Sequence, residues 1–180
     1  MKTKLLLLLL SFSFASNYQF VSNLDKTTTL NFTNSQLNID DKDGFSRISA
    51  SNNSSTTEEG LPELPIYTSF FQMDPNKEYS IDFQIISSRI VNDINIYPFQ
   101  GHDKNESKNE FKIIDEVYNS NSVYPQENIS MSEPMVMRDI EVGLISFTPF
   151  EYDFNSKSLV IYDEVEINIT EIGDRVKTSN

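Results

Sequence analysis

The sequence has no cysteine. That removes disulfide staples, thiolate metal ligands and a cysteine nucleophile from the chain, and also a leader-end cysteine for lipid attachment. Tryptophan is absent and there is one histidine. A Ser-His-Asp triad would have to use His102, which stands in a polar stretch and reads as a solvated loop residue. Basic residues are scarce, 14 against 27 acidic ones, for a formal charge of −13. Such a surface repels phosphate backbones, so nucleic acid is set aside as a partner, and a basic cleft or basic protein suits it better. Apolar runs long enough to span a bilayer, about 20 residues, are missing as well.

A short apolar run does occur at the start. Met1-Lys2-Thr3-Lys4 is a basic opening, Leu5 to Phe14 is apolar, and Ser13-Phe14-Ala15 places small residues at the cleavage positions. This predicts a signal peptide over 1–15 and an exported chain without a stable membrane anchor once it is removed. The remaining 16–180 has room for one domain. It contains 13 Phe and 8 Tyr, enough apolar mass for a packed core and too much for a disordered tail.

Helical periodicity is scarce and period-two alternation recurs. Tyr79, Ile81, Phe83 and Ile85 alternate with polar residues, and Ile90, Ile94 and Ile96 share a parity in a following run that stops at Pro98. Shorter strands are expected over Thr27 to Phe32, Leu37 to Ile39, Phe45 to Ile48 and Ile66 to Met73, with turns at Asp41 to Gly44 and Asp74 to Lys77. Ser49 to Glu59 reads as a loop or a hairpin tip. Gly101 to Asn128 reads as a large polar excursion, with a short strand over Phe111 to Val117. Many short strands between polar turns predict an all-β chain folded as an antiparallel β-sandwich. The acidic turn at Asp40 to Gly44 fails the EF-hand pattern and reads as a hairpin turn with Gly44 at positive φ. No metal site or cofactor is expected.

The richest stretch is Arg138 to Thr170. Ile140, Val142 and Leu144 alternate with Asp139, Glu141 and Gly143, then the apolar parity slips to Ile145 and Phe147. A glycine at the slip predicts a β-bulge at Gly143. Pro149 ends the ladder, Asp153 to Lys157 is turn chemistry, and Leu159, Ile161, Val165, Ile167 and Ile169 mark a long half-buried strand. Arg138 is expected to pair with a neighbouring acid in a structural role. Asp163 and Glu164 point to opposite faces of one strand, so they do not converge for acid–base work.

This closing hairpin resembles that of the propeptide domain of gingipain-type (family C25) cysteine peptidases. The residues that carry the likeness are Arg138, Phe147-Thr148-Pro149, Tyr152 and Leu159-Val160-Ile161-Tyr162. Gly60-Leu61-Pro62-Glu63-Leu64-Pro65 is similar to the family's Gly-x-Pro-x-Leu-Pro element, and Tyr118 with Tyr124-Pro125 to its Tyr and Tyr-Pro pair. The order and spacing of these pieces span roughly Thr27 to Thr170. Thr148-Pro149-Phe150-Glu151-Tyr152 departs from the usual Tyr-Pro or Pro-Val before the final tyrosine.

The resemblance implies a prodomain that keeps a secreted cysteine peptidase latent by covering its active-site cleft and assists its folding. The implied partner is the peptidase catalytic domain, in cis if the chain continues and in trans otherwise, and the implied export route is of type IX. A loop from the excursion would cross the cleft, and Lys104 and Lys108 are its candidate inhibitory residues should the specificity pocket be acidic. Two other readings remain beside it: a free-standing inhibitor acting in trans, and an exported adhesion or carbohydrate-binding sandwich.

Overall fold

The computed structural model describes residues 17–34, 36–51, 53–101 and 110–175. The expected signal peptide and the residues His102, Lys104 and Lys108 lie outside the described residues. In chain order the strands are β1 (Tyr18–Leu24), β2 (Thr27–Thr33), β3 (Leu37–Lys42), β4 (Phe45–Ala50), β5 (Ser54–Ser55), β6 (Pro65–Met73) and β7 (Lys77–Val91). A single helical turn, α1 (Asp115–Tyr118), follows. The chain closes with β8 (Val123–Tyr124), β9 (Ile129–Met131), β10 (Met135–Met137), β11 (Ile140–Phe147), β12 (Phe150–Asp153) and β13 (Ser158–Asp174).

Every strand pairing is antiparallel, as the alternation requires. β13 organises the first sheet. One of its edges carries β7, from Leu159 to Asp174. The other carries β12 over Ser158–Ile161 and then β2 over Glu164–Thr170. β1 flanks β2 and β8 flanks β12. In the second sheet β11 lies between β6 on one side and β10 and β9 on the other, with β5 joined to the start of β6. β3 and β4 form a separate two-stranded ribbon whose turn, Asp43-Gly44, has both φ angles positive.

The core lies where the two sheets face each other. Phe32 of β2 meets Phe147 of β11 and Tyr67 of β6 edge-on, at 5.0 Å between ring centroids in each case. Phe83 of β7 approaches Phe147 at 5.4 Å. Edge-to-face rings set their positive rims against negative faces, which adds about 0.5–1.5 kcal/mol per pair beyond burial. Leu159, Ile161, Val165, Ile167 and Ile169 of β13 complete the core, as their shared parity predicts.

Several expectations are corrected. Gly143 is not at a bulge: β11 pairs with β6 without interruption from Glu141 to Phe147. Its inward face, Gly143, Ile145 and Phe147, is continuous. Glycine is there because a Cβ would meet Met131 and Met73 at 3.0 Å. Irregularities fall instead in β1 between Phe20 and Ser22, and in β13 between Glu171 and Gly173 and between Tyr162 and Val165, the last of which buries Tyr162 beside Ile161. Pro149 does not simply end one arm of a hairpin. At Thr148-Pro149 the chain leaves the second sheet and enters the first as β12, so the closing segment serves both sheets. The two runs read around Tyr79 and Ile90 include one strand, β7, that stops at Val91, and Ile94 and Ile96 are buried beyond it. Phe111 to Val117 is no strand; it leads into α1. The stretch Ser49 to Glu59 contains β5, and β1 is a strand that the alternation did not signal.

Candidate functional site: the platform under the excursion

Three segments meet at the end of the sandwich where the excursion leaves and returns. Gly60 donates its N–H to the Phe99 carbonyl at 2.9 Å, Phe99 donates to Leu61 at 2.8 Å, and Glu63 donates to Tyr97 at 2.8 Å. Pro62 bridges Pro98 at the centre of this pairing. Prolines lack the N–H that a longer ladder needs, so the contact stays short. On its other side Gly60 accepts the Ile114 N–H at 3.1 Å. Gly60 has φ +80°, and a Cβ there would stand 3.0 Å from Ile114 Cγ1 and 3.3 Å from the Ile114 nitrogen. Only glycine lets the three segments come this close. Leu64 is fully buried and Pro65 opens β6.

Gln100 closes the base of the excursion. Its carboxamide accepts the Lys112 N–H at 2.9 Å and donates to the Lys112 carbonyl at 2.8 Å and the Pro98 carbonyl at 2.9 Å. The side chain thus acts as a backbone segment would, fastening the outgoing stem to the returning one. The Lys112 ammonium pairs with the Glu59 carboxylate across the same base. Phe111 packs on Phe45 at 5.5 Å and on Tyr97 at 5.9 Å. The Lys42 ammonium lies over the Tyr97 ring at 4.5 Å.

Arg47 ties the β3–β4 ribbon to this platform. Its guanidinium donates to both oxygens of the buried Glu63 carboxylate, at 2.9 and 3.1 Å, and the Ser55 hydroxyl donates to the same group at 3.3 Å. Arg47→Ala leaves a buried carboxylate with the hydroxyl as its remaining side-chain donor. The expected loss is about 2 kcal/mol, read as a lowered urea midpoint, with Arg47→Lys intermediate because it lacks the two-pronged geometry.

The tyrosines that carry the family likeness are hydrogen-bonded through their hydroxyls. Tyr118 donates to the Ile96 carbonyl at 2.9 Å, Tyr152 to the Ile94 carbonyl at 3.0 Å, Tyr124 to Glu58 at 3.2 Å and Tyr162 to Glu151 at 3.1 Å. Burial raises the pKa of each. For Tyr124 and Tyr162 it is pushed up to about 12, with the Glu58 and Glu151 carboxylates adding to the effect. A phenol whose folded pKa lies above its unfolded value, about 10, contributes stability that is complete below pH 10 and is lost as pH rises toward the folded value. The domain is therefore expected to hold a steady melting midpoint up to about pH 10 and to lose it between about pH 10 and 12. Tyr162→Phe is expected to flatten that limb, and an unchanged alkaline limb in that variant would count against the assignment.

Gly60, Pro62, Pro65, Tyr124, Pro125 and Tyr152 are gathered at this end. Tyr124 pairs with Tyr152 across β8 and β12, and the Tyr124-Pro125 peptide is cis. Pro149 and Tyr162 sit together at the sheet crossing, where Tyr162 donates its N–H to the Pro149 carbonyl. Arg138 is elsewhere: it occupies the β10–β11 turn with φ +48° and forms no ion pair among the described residues, in place of the expected acidic partner. Sequence reasoning missed Gln100 and the Arg47–Glu63 pair. Single residues in irregular stretches carry no periodic signal. Among the described residues no group of three or more His, Asp or Glu side chains is placed to hold a metal ion.

The Propeptide_C25 family model matches residues 15–179. Gingipain R1 of Porphyromonas gingivalis is 25% identical over 125 residues, which is 67% of this chain and 12% of that protein. Gingipain R2 of the same organism is 25% identical over 122 residues, 66% of this chain and 16% of that protein. The chain thus spans a small part of the curated relatives it matches. Among solved structures, the complex of P. gingivalis RgpB pro- and mature domains superposes with a TM-score of 0.70 at 20% identity, covering 91% of this chain and 90% of the matched one. A structure described as giving insight into zymogenic latency of gingipain K from P. gingivalis superposes at 0.71 with 17% identity, covering 89% and 96%. At those identities the likeness is one of fold.

Proposed function

We propose, for a chain that belongs to the Propeptide_C25 family, the work of a prodomain: it holds a gingipain-like cysteine peptidase latent and assists its folding. The chain has no cysteine, so it carries no such nucleophile, and its partner is the catalytic domain. The platform around Gly60 and Gln100 is the observation that carries the mechanism. The stems are fastened to one another at Gln100 and Lys112 and to the sandwich at Phe99 and Ile114 through Gly60, so the segment between them starts and ends on a fixed base. A segment presented this way loses less freedom on entering a cleft, which favours tight blockade. The chain is exported under the leader over 1–15 and acts outside the cytoplasm.

Inhibition of a gingipain-type catalytic domain by the chain over 16–180 tests the reading. Lys104 and Lys108 are the candidates for entry into the specificity pocket. If the pocket is acidic, replacing the inserted one by alanine is expected to weaken inhibition about thirtyfold, the loss of one anchoring contact, while the other variant changes little. Equal inhibition by both variants would assign the blocking contact to another residue. No inhibition by the parent chain would remove the latency reading.

A further inference from the structure

The outer face of the second sheet changes character along its length. Residues directly opposite in an antiparallel ladder share a face. Near Pro149 the outward row is Ser130, Ser146 and Thr68, all polar. Toward the start of β11 it becomes Leu144 opposite Phe70, then the buried Val142 between Met135 and the exposed Gln72, then Ile140 opposite Met137. Phe70 is 56% exposed, Met135 39%, Met137 42% and Ile140 44%. A solvated sheet face ordinarily presents polar side chains, as the first half of this one does. A half-face on which Phe70, Met135, Met137 and Ile140 are exposed around a single polar Gln72 has the composition of an interface core.

Two observations identify the occupant. β13 ends at the same end of the second sheet as this patch: Arg175 donates its N–H to the Asn76 carbonyl and its guanidinium to Glu141, which faces the other side of β11 from Ile140. Whatever follows Arg175 in a precursor starts there, at high effective concentration. Self-pairing is opposed by the formal charge of −13 on each copy.

We propose that this apolar half-face docks an apolar surface of the peptidase catalytic domain, as a second contact separate from the excursion. The inference rests on the prodomain reading. The two contacts lie toward opposite ends of β13, since Lys157 meets Ile94 near the platform while Asp174 pairs with Lys77 at the exit. A prodomain held at both places remains attached when the excursion alone lets go.

The methionines allow a direct test. The chain over 16–180, alone and mixed with the inactivated catalytic domain of the same precursor, is exposed to dilute hydrogen peroxide, and sulfoxides are read by peptide mass spectrometry. Met135 and Met137 are expected to oxidise in the free chain and about tenfold more slowly in the complex. Buried Met73 should stay slow in both. Equal rates in a complex that size exclusion shows to be intact overturn the docking face and leave the latency reading standing. Failure to form a complex overturns both. Protection that grows with the concentration of the free chain assigns the face to a second copy and overturns the proposal. In a second arm, Phe70→Ser with Ile140→Ser is expected to bind about tenfold more weakly at an unchanged melting midpoint, because both side chains are exposed. Unchanged binding by that variant also overturns it.

Discussion

Phe147→Ala is expected to remove about 3–5 kcal/mol of folding stability, the cost of a buried phenylalanine that leaves a cavity. Phe147 is fully buried and touches Phe32 and Phe83, so it joins β11 to both β2 and β7 across the sandwich. Its neighbours are held by strand ladders and have little freedom to collapse into the space. A domain of this kind has a total stability of about 5–15 kcal/mol, and no disulfide is present to limit the unfolded chain. The melting midpoint should fall by roughly 10 °C or more. Phe147→Leu keeps much of the volume and should cost about 1–2 kcal/mol. A midpoint within a degree or two of the parent for Phe147→Ala would show that the sheets are not held together through this ring.

Gly60→Ala is expected to cost about 2–4 kcal/mol, the sum of a left-handed backbone and a steric conflict. At φ +80° an L residue is strained by about 1–2 kcal/mol even with free space around it. Here there is none, since the new methyl would press on the Ile114 side chain and backbone. Gly44 is the control: it has φ +78° and nothing within 4 Å of a built Cβ, so Gly44→Ala should show the strain without the clash. The difference between the two variants in urea unfolding isolates the close approach. Displacing Ile114 also shifts the returning stem at Lys112, so Gly60→Ala should weaken peptidase inhibition beyond its effect on folding, whereas Gly44→Ala should not. Equal costs for the two glycines would contradict the packing described around Gly60.

The fold was legible where burial is one-sided. β13 shows its parity from Val165 on, because Val165, Ile167 and Ile169 alternate with Glu164, Glu166, Asn168 and Thr170. The parity slip at Gly143 is different. Val142 and Leu144 face outward and are apolar, so a regular strand resembles an irregular one, and the reason for the glycine lies with Met73 and Met131, distant in sequence. The irregularity at Tyr162 to Val165 is hidden because Ile161 and Tyr162 are both large and apolar. Pro149 marks a break in the ladder, yet nothing local says that the next strand belongs to the other sheet. The same holds for the platform. The glycine and prolines of Gly60 to Pro65 stand out as a motif. The work of Gln100 depends on Lys112, which only the folded chain brings alongside it. Lys104 and Lys108 rest on chemistry implied by family likeness, and no periodicity bears on them.

The position of β13 has a consequence for how the chain is made. It is the last strand of the domain, and it is also the one beside which β2, β7 and β12 lie. Thr27 meets Thr170 through hydroxyls 143 positions apart. The β1–β2 hairpin therefore waits, its inner edge unpaired, until nearly all of the domain has been synthesised. Chains grow at about 5–20 residues per second, so that interval lasts on the order of ten seconds. During it β2 presents a row of unpaired backbone donors and acceptors along its inner edge. A chain that cannot close early needs protection from pairing with its neighbours until its final strand arrives.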